Sequence, residues 1–155
     1  MHLIAHKGLL HGPNPDIENS PDQVEYALSG GYGVKVDVWL IEQQWFLGQL
    51  RPVYKVPSTF IRQSGLWLQC RNYAALDGVA RMSRRNYFWH DADSYTLTSK
   101  GFIWAFPSQP ISELAICVMP EWEDDMFSNI GDITCAGFCS EYIVEIDNKL
   151  HDRRP

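Results

Sequence analysis

The sequence has no run approaching ~20 apolar residues, no Cys-x-x-Cys pair and no excess of positive charge. The first absence excludes a transmembrane helix. The second, with Cys–His spacings that are long and irregular, gives no zinc or disulfide framework. The four cysteines, Cys70, Cys117, Cys135 and Cys139, therefore read as free thiols. Three of them sit in apolar runs where a thiol packs as a small hydrophobe, and Cys135 and Cys139 form the close pair. The third absence comes from 13 basic against 19 acidic residues, a net charge of −6. That argues against nucleic acid as a partner, because phosphate backbones select a basic face. It leaves open a small phosphorylated ligand held by one or two cations. The opening Met1-His2-Leu3-Ile4-Ala5-His6 lacks the basic stretch and long apolar core of a secretory signal. The chain reads as soluble and cytoplasmic.

What is present is ordinary globular material, 45% hydrophobic and 21% charged, with an aromatic share raised by six tryptophans. The length suits one domain, over residues 1–150, followed by a flexible tail at 151–155. Short apolar runs mark strands at Leu3 to His6, Val34 to Leu40, Gln44 to Leu47, Leu66 to Cys70, Asn86 to His90, Tyr95 to Thr98, Phe102 to Phe106, Ala115 to Met119 and Ile133 to Phe138. Arg51 to Pro57 reads as irregular. Helices are expected after Ser20-Pro21-Asp22-Gln23, over Asn72 to Met82 and over Ser140 to Leu150. In the first, Ser20 caps, Pro21 suits the first turn and Gln23 completes a capping box. Gly30-Gly31 stops it. About seven of the strands are core strands, separated by helices or by loops too long for hairpins. That pattern predicts an α/β fold with mainly parallel strands, a minimal or incomplete TIM-like β/α barrel whose crossover helices are partly trimmed. A barrel short of strands leaves an open edge, which predicts self-association.

In such a fold, residues at strand carboxyl ends converge on one rim. Candidates there are His6 in Ile4-Ala5-His6-Lys7-Gly8, Asp37 in Val36-Asp37-Val38, and His90 after Tyr87-Phe88-Trp89. Glu18-Asn19-Ser20 lies at the first helix start. The acidic run Glu121-Trp122-Glu123-Asp124-Asp125 reads as solvated surface, although Glu121 just beyond a strand is a possible second proton carrier.

His6-Lys7-Gly8, Glu18-Asn19-Ser20 and Val36-Asp37-Val38 together resemble the glycerophosphodiester phosphodiesterases and, more broadly, the phospholipase-C-like phosphodiesterase superfamily. Asp37-Val38-Trp39, Tyr87-Phe88-Trp89-His90, Leu97-Thr98-Ser99-Lys100-Gly101 and Phe138-Cys139-Ser140 resemble a group of short bacterial and phage members. The resemblance implies a TIM-type barrel that cleaves a glycerophosphodiester or related polyol phosphate, using two histidines and a divalent cation such as Mg²⁺ or Ca²⁺. Carried over by position, His6 is the acid–base group, with Asp37 and Glu18 as candidate metal ligands.

The chain departs from that pattern at three places. Lys35 stands where the family has a metal-binding Glu. Gln49-Leu50 stands where the second His is expected, and Gln69-Cys70-Arg71 replaces a Glu-x-Lys. Gln49 can hydrogen-bond a phosphate but cannot transfer a proton at neutral pH. Two compensations are open. Lys35 and Arg71 hold the phosphate directly, without metal, and His90 supplies the missing proton carrier. The competing reading is a non-catalytic pseudoenzyme, a binding or structural subunit that keeps the barrel and its pocket.

Overall fold

A computed structural model describes residues 1–152. Ten strands form one curled sheet. Strand β1 (His2–His6) leads through α1 (Pro21–Ser29) to β2 (Gly33–Ile41). A hairpin follows, β3 (Gln44–Leu47) and β4 (Tyr54–Val56), then the single turn α2 (Ser58–Ile61). Next come β5 (Leu66–Cys70), α3 (Tyr73–Ala80), β6 (Asn86–Phe88), β7 (Tyr95–Leu97), β8 (Ile103–Ala105) and β9 (Ala115–Val118). The chain ends with α4 (Asp124–Ser128), β10 (Gly137–Ser140) and α5 (Ile143–His151).

Parallel ladders run in the order β6, β5, β2, β1, β10, β9, β8. The first strand is joined to the last, so the sheet curls round on itself. Among the described residues no ladder joins β6 to β8, and the fold is an incomplete barrel. The seam is bridged by Ser99 N donating to the Tyr87 carbonyl at 2.9 Å and by the Phe88 and Trp104 rings, 4.6 Å between centroids. β7 pairs antiparallel with β8, and β3 antiparallel with the far end of β2. Full helical crossovers are kept at β1–α1–β2 and β5–α3–β6; β6 reaches β8 through β7 alone.

Side chains alternate across each strand, and the alternation makes two cores. Val34, Val36 and Val38, Leu66 and Leu68, Cys117 and Phe138 face out to Val24 and Ala27 of α1, Ala75 and Val79 of α3, and Ile143 and Ile146 of α5. Ile4, Trp67, Phe88, Trp104, Ile116, Val118 and Cys139 fill the inside of the curl. The residues between the outward ones of β2, Lys35 and Asp37, are therefore turned inward.

The structure changes several local expectations. Ser20 Oγ accepts from Gln23 N at 3.4 Å, but the Gln23 side chain donates to the Gly8 carbonyl at 2.8 Å. It ties the first loop to α1 instead of closing a capping box. The segment read as irregular contains β4, paired with β3. β6 stops at Phe88, two residues before His90. The last strand is Gly137–Ser140, not a run from Ile133, because pairing with β1 starts where His2 meets Gly137. The acidic run is structured: it spans a 3₁₀ turn at Pro120–Trp122 and the start of α4. His151 is the last residue of α5, and residues 153–155 of the expected tail lie outside the described residues. The four cysteines are free; Cys70, Cys117 and Cys139 are buried and Cys135 half-buried. No helix among the described residues is long and apolar enough to cross a membrane.

The junction of β1 and β10 holds only because residue 137 has no side chain. A Cβ at Gly137 would overlap the His2 carbonyl and Cβ. Gly137→Ala is expected to cost about 1–3 kcal/mol, read as a lowered urea midpoint with an unchanged m-value. An unshifted midpoint would show that the two strands adapt.

Candidate functional site

The inward side chains change character toward the carboxyl ends of the strands. On β1 the apolar Ile4 is followed two residues later by His6, and on β5 Trp67 is followed by Gln69. His90 lies two residues beyond Phe88, and Phe106 two beyond Trp104. Each pair is separated by one strand repeat, so on β1, on β5 and after β6 the apolar filling of the curl gives way to polar side chains at its mouth, while Phe106 keeps the β8 side aromatic. There a cavity of about 260 Å³ is lined by His6, Lys35, Asp37, Gln49, Arg71 and His90, together with Lys7, Gln69 and Glu141. Trp104, Phe106, Met119 and Trp122 form its aromatic and apolar wall.

Asp37 is the most buried group, with no exposed surface. Lys35 Nζ lies 2.8 Å from both of its carboxylate oxygens. Asn19 holds the same residue from the other side: its Nδ2 donates to Asp37 Oδ2 at 3.1 Å, and its Oδ1 accepts from Asp37 N at 3.0 Å. Burial by itself pushes the Asp37 carboxyl up, but Lys35, His6 and the Asn19 amide outweigh it and hold it below the usual range. Burial lowers the Lys35 ammonium from its ordinary value, and Asp37 offsets part of that. Arg71 stands 3.9 Å from Asp37 Oδ1. Its Nε donates to the Gln49 carbonyl at 3.1 Å, which leaves its Nη groups without a hydrogen bond among the described residues.

Lys7 has a left-handed backbone, φ 56°. Its side chain reaches across to Glu18 Oε2 at 2.9 Å and Gln49 Oε1 at 2.6 Å. Asn19 and Met119 are also left-handed, at φ 59° and 50°. Lys7 and Met119, two strained non-glycine residues lining one cavity, are what a site held by its surroundings displays.

His6 Nδ1 lies 3.2 Å from Glu141 Oε1. Burial, reinforced by Lys35 and Lys7, drives the His6 imidazole well below its ordinary value. The ring is thus neutral at pH 7, and with a carboxylate facing Nδ1 its proton sits on Nδ1 and its lone pair on Nε2. Burial raises the Glu141 carboxyl, with Lys7 and Lys35 opposing. Behind it, Glu121 Oε1 accepts from Ser140 Oγ at 2.8 Å and Glu141 N at 2.9 Å, while its Oε2 is buried without a partner. Glu121 is therefore a support for the loop after β10 and does not line the cavity. His90 is oriented by Nε2 against the Asp93 carbonyl at 2.7 Å and by the Phe106 ring. Gln69 donates to the His90 carbonyl at 2.7 Å.

The structure thus brings His6, Lys35, Asp37, Gln49, Arg71 and His90 together, and leaves Glu18 one shell back as the partner of Lys7. Sequence reasoning passed over Lys7 and Glu141 as site residues. Lys7 was visible within the His6-Lys7-Gly8 motif, and Glu141 follows a strand end as Glu121 does. The donor set does not suit a divalent cation. A hard ion takes several oxygens, and here an ammonium occupies both oxygens of Asp37. Among the described residues no three His, Cys, Asp or Glu side chains group as metal ligands. No family model, no curated protein and no solved structure matches this chain.

The depressed His6 has a measurable consequence. Below its ordinary value of 6.5 the unfolded chain protonates this imidazole and the folded chain resists. The unfolded state then binds more protons, so stability falls as pH drops from 6.5 toward the lowered folded value. In His6→Gln the loss of stability between pH 7 and 5, followed by urea midpoints, is expected to be shallower than in the native protein. Parallel curves would show that His6 is not held neutral.

Proposed function

We propose that this cavity binds the phosphate of a small phosphodiester, a glycerophosphodiester or related polyol phosphate, at the mouth of a TIM-like barrel of the phospholipase-C-like kind. The observation that carries the reading is the cluster of Lys7, Lys35 and Arg71 around a neutral His6 at the carboxyl ends of the strands. The uncommitted Nη groups of Arg71 are the direct phosphate donors, a fork that matches two phosphate oxygens. Lys35 supplies fixed positive charge next to them, in the place of a metal, and no step is routed through a cation.

In this reading His6 Nε2 takes the proton of a hydroxyl neighbouring the phosphate, and Glu141 holds the imidazole in the tautomer that permits it. The freed oxygen attacks phosphorus and forms a cyclic phosphate as the bond to the leaving alcohol breaks. His90, whose Nε2–H is held by the Asp93 carbonyl, gives that alcohol a proton from Nδ1 in its imidazolium form and is left as the neutral ring. Arg71 and Lys35 stabilise the charge that builds on the phosphoryl oxygens. The exposed Trp122 and the Phe106 ring are placed to pack on the polyol.

A second reading has its own support. Gln49 carries no transferable proton and is locked to Lys7, so the site lacks its expected second histidine. A protein that binds the phosphodiester without turning it over accounts for that.

Hydrolysis of glycerophosphodiesters, assayed with Mg²⁺, with Ca²⁺ and with EDTA, separates the two. The catalytic reading expects turnover that survives EDTA and falls about 10²–10⁴-fold in His6→Ala. Binding without turnover, weakened about tenfold or more in Arg71→Ala, would establish the second reading. Neither binding nor turnover would overturn both. Lys35→Met leaves Asp37 buried and unpaired, and is expected to cost about 3–5 kcal/mol of stability in urea unfolding.

A further inference from the structure

The opposite mouth of the curl, at the amino-terminal ends of the strands, holds a larger cavity of about 710 Å³. Its wall carries three permanent cations, Arg84, Arg85 and Lys100, and no Asp or Glu. On a chain of net charge −6 this is a local reversal of sign. Arg84 and Lys100 are exposed and form no ion pair among the described residues. Arg85 is fixed instead by backbone: its Nη1 donates to the Arg62 and Gln63 carbonyls and its Nε to Ser83 O. Arg84 beside it has a left-handed backbone, φ 63°. The Arg85 side chain is thus tied to the backbone, and the backbone of Arg84 beside it is held in a strained turn.

The inner end of the same cavity is aromatic. Trp67 and Phe102 have centroids 5.4 Å apart, and His2 stands edge-on to both at 5.4 and 4.8 Å. Trp67 is nearly buried, Phe102 half-buried and His2 exposed, so the cluster is fixed at its base and open toward the cavity. Asn86 also lines the wall, and its side-chain Oδ1 is buried with no hydrogen-bond partner.

Cations at the rim and rings at the base define one ligand chemistry. A phosphate pairs with the guanidinium and ammonium groups, and a planar heterocycle packs on the rings. We propose that this mouth is a second site, which binds a mononucleotide. The volume is of the size that encloses such a ligand. The site shares no lining residue with the His6 cavity and does not rest on the phosphodiester reading.

Calorimetric titration of the whole chain with adenosine 5′-monophosphate, adenosine and inorganic phosphate tests it. Saturable binding of the nucleotide is expected, at least tenfold tighter than either fragment. Arg84→Ala with Lys100→Ala, both exposed positions, should weaken it tenfold or more, whereas Arg71→Ala at the other mouth should leave it unchanged. Overturning results are an absence of saturable binding, phosphate binding as tightly as the nucleotide, or a loss caused by Arg71→Ala and not by the rim double variant.

Discussion

The site depends on a carboxylate buried without any contact with water. Asp37 sits in the middle of β2, fully enclosed, and its charge is kept only because Lys35, two residues away on the same face, meets both oxygens. A pair taken out of solvent gains little unless its remaining hydrogen-bonding capacity is met. Asn19 meets it, and in doing so ties the entry of α1 to the centre of β2. Arg71 after β5 is drawn to the same carboxylate, and burial, reinforced by Lys35 and Lys7, keeps His6 neutral. One buried charge thus links α1, β2 and the residue that follows β5.

A two-residue alternation divides the molecule's chemistry from its support. The outward rows of the strands are aliphatic and bury against α1, α3 and α5. The inward rows are aromatic and aliphatic in the lower part of the curl and polar at the top. The two mouths differ in kind. The carboxyl-end mouth has cations already engaged by carboxylates and an amide, with Arg71 Nη as its free donors. The amino-end mouth has cations with no acid on its wall. The first offers an anion a single guanidinium fork within a network already paired, and the second offers cations that have no partner of opposite charge among the described residues.

Much of the fold was legible because strand and helix periods are local. The apolar runs at Leu66 to Cys70 and Ala115 to Met119, and the Ser20-Pro21 start of α1, depend on neighbouring residues alone. β4 escaped notice because three residues, Tyr54 to Val56, carry no period and are extended only by pairing with β3. The start of β10 was misplaced because Ile133 and Cys135 are as apolar as a strand, and only the close approach of His2 to Gly137 decides where pairing begins. At the site, His6, Lys35, Asp37 and Arg71 could be named from strand ends and motif positions. Glu141 could not be preferred over Glu121, since both follow strands and only the packing of the loop turns one toward His6 and the other toward Ser140.

The sequence by itself determined a mixed α/β chain with short, mainly parallel strands and free thiols, because each follows from residue type and spacing. Tertiary structure alone decided that β1 pairs with β10 to curl the sheet. It also decided that Lys35 and Asp37 meet each other and not solvent, that Gln23 ties a loop instead of closing a cap, and that Arg84, Arg85 and Lys100 gather at one mouth. These are contacts between segments far apart in the chain, set by the closure of the sheet, and no local pattern encodes them.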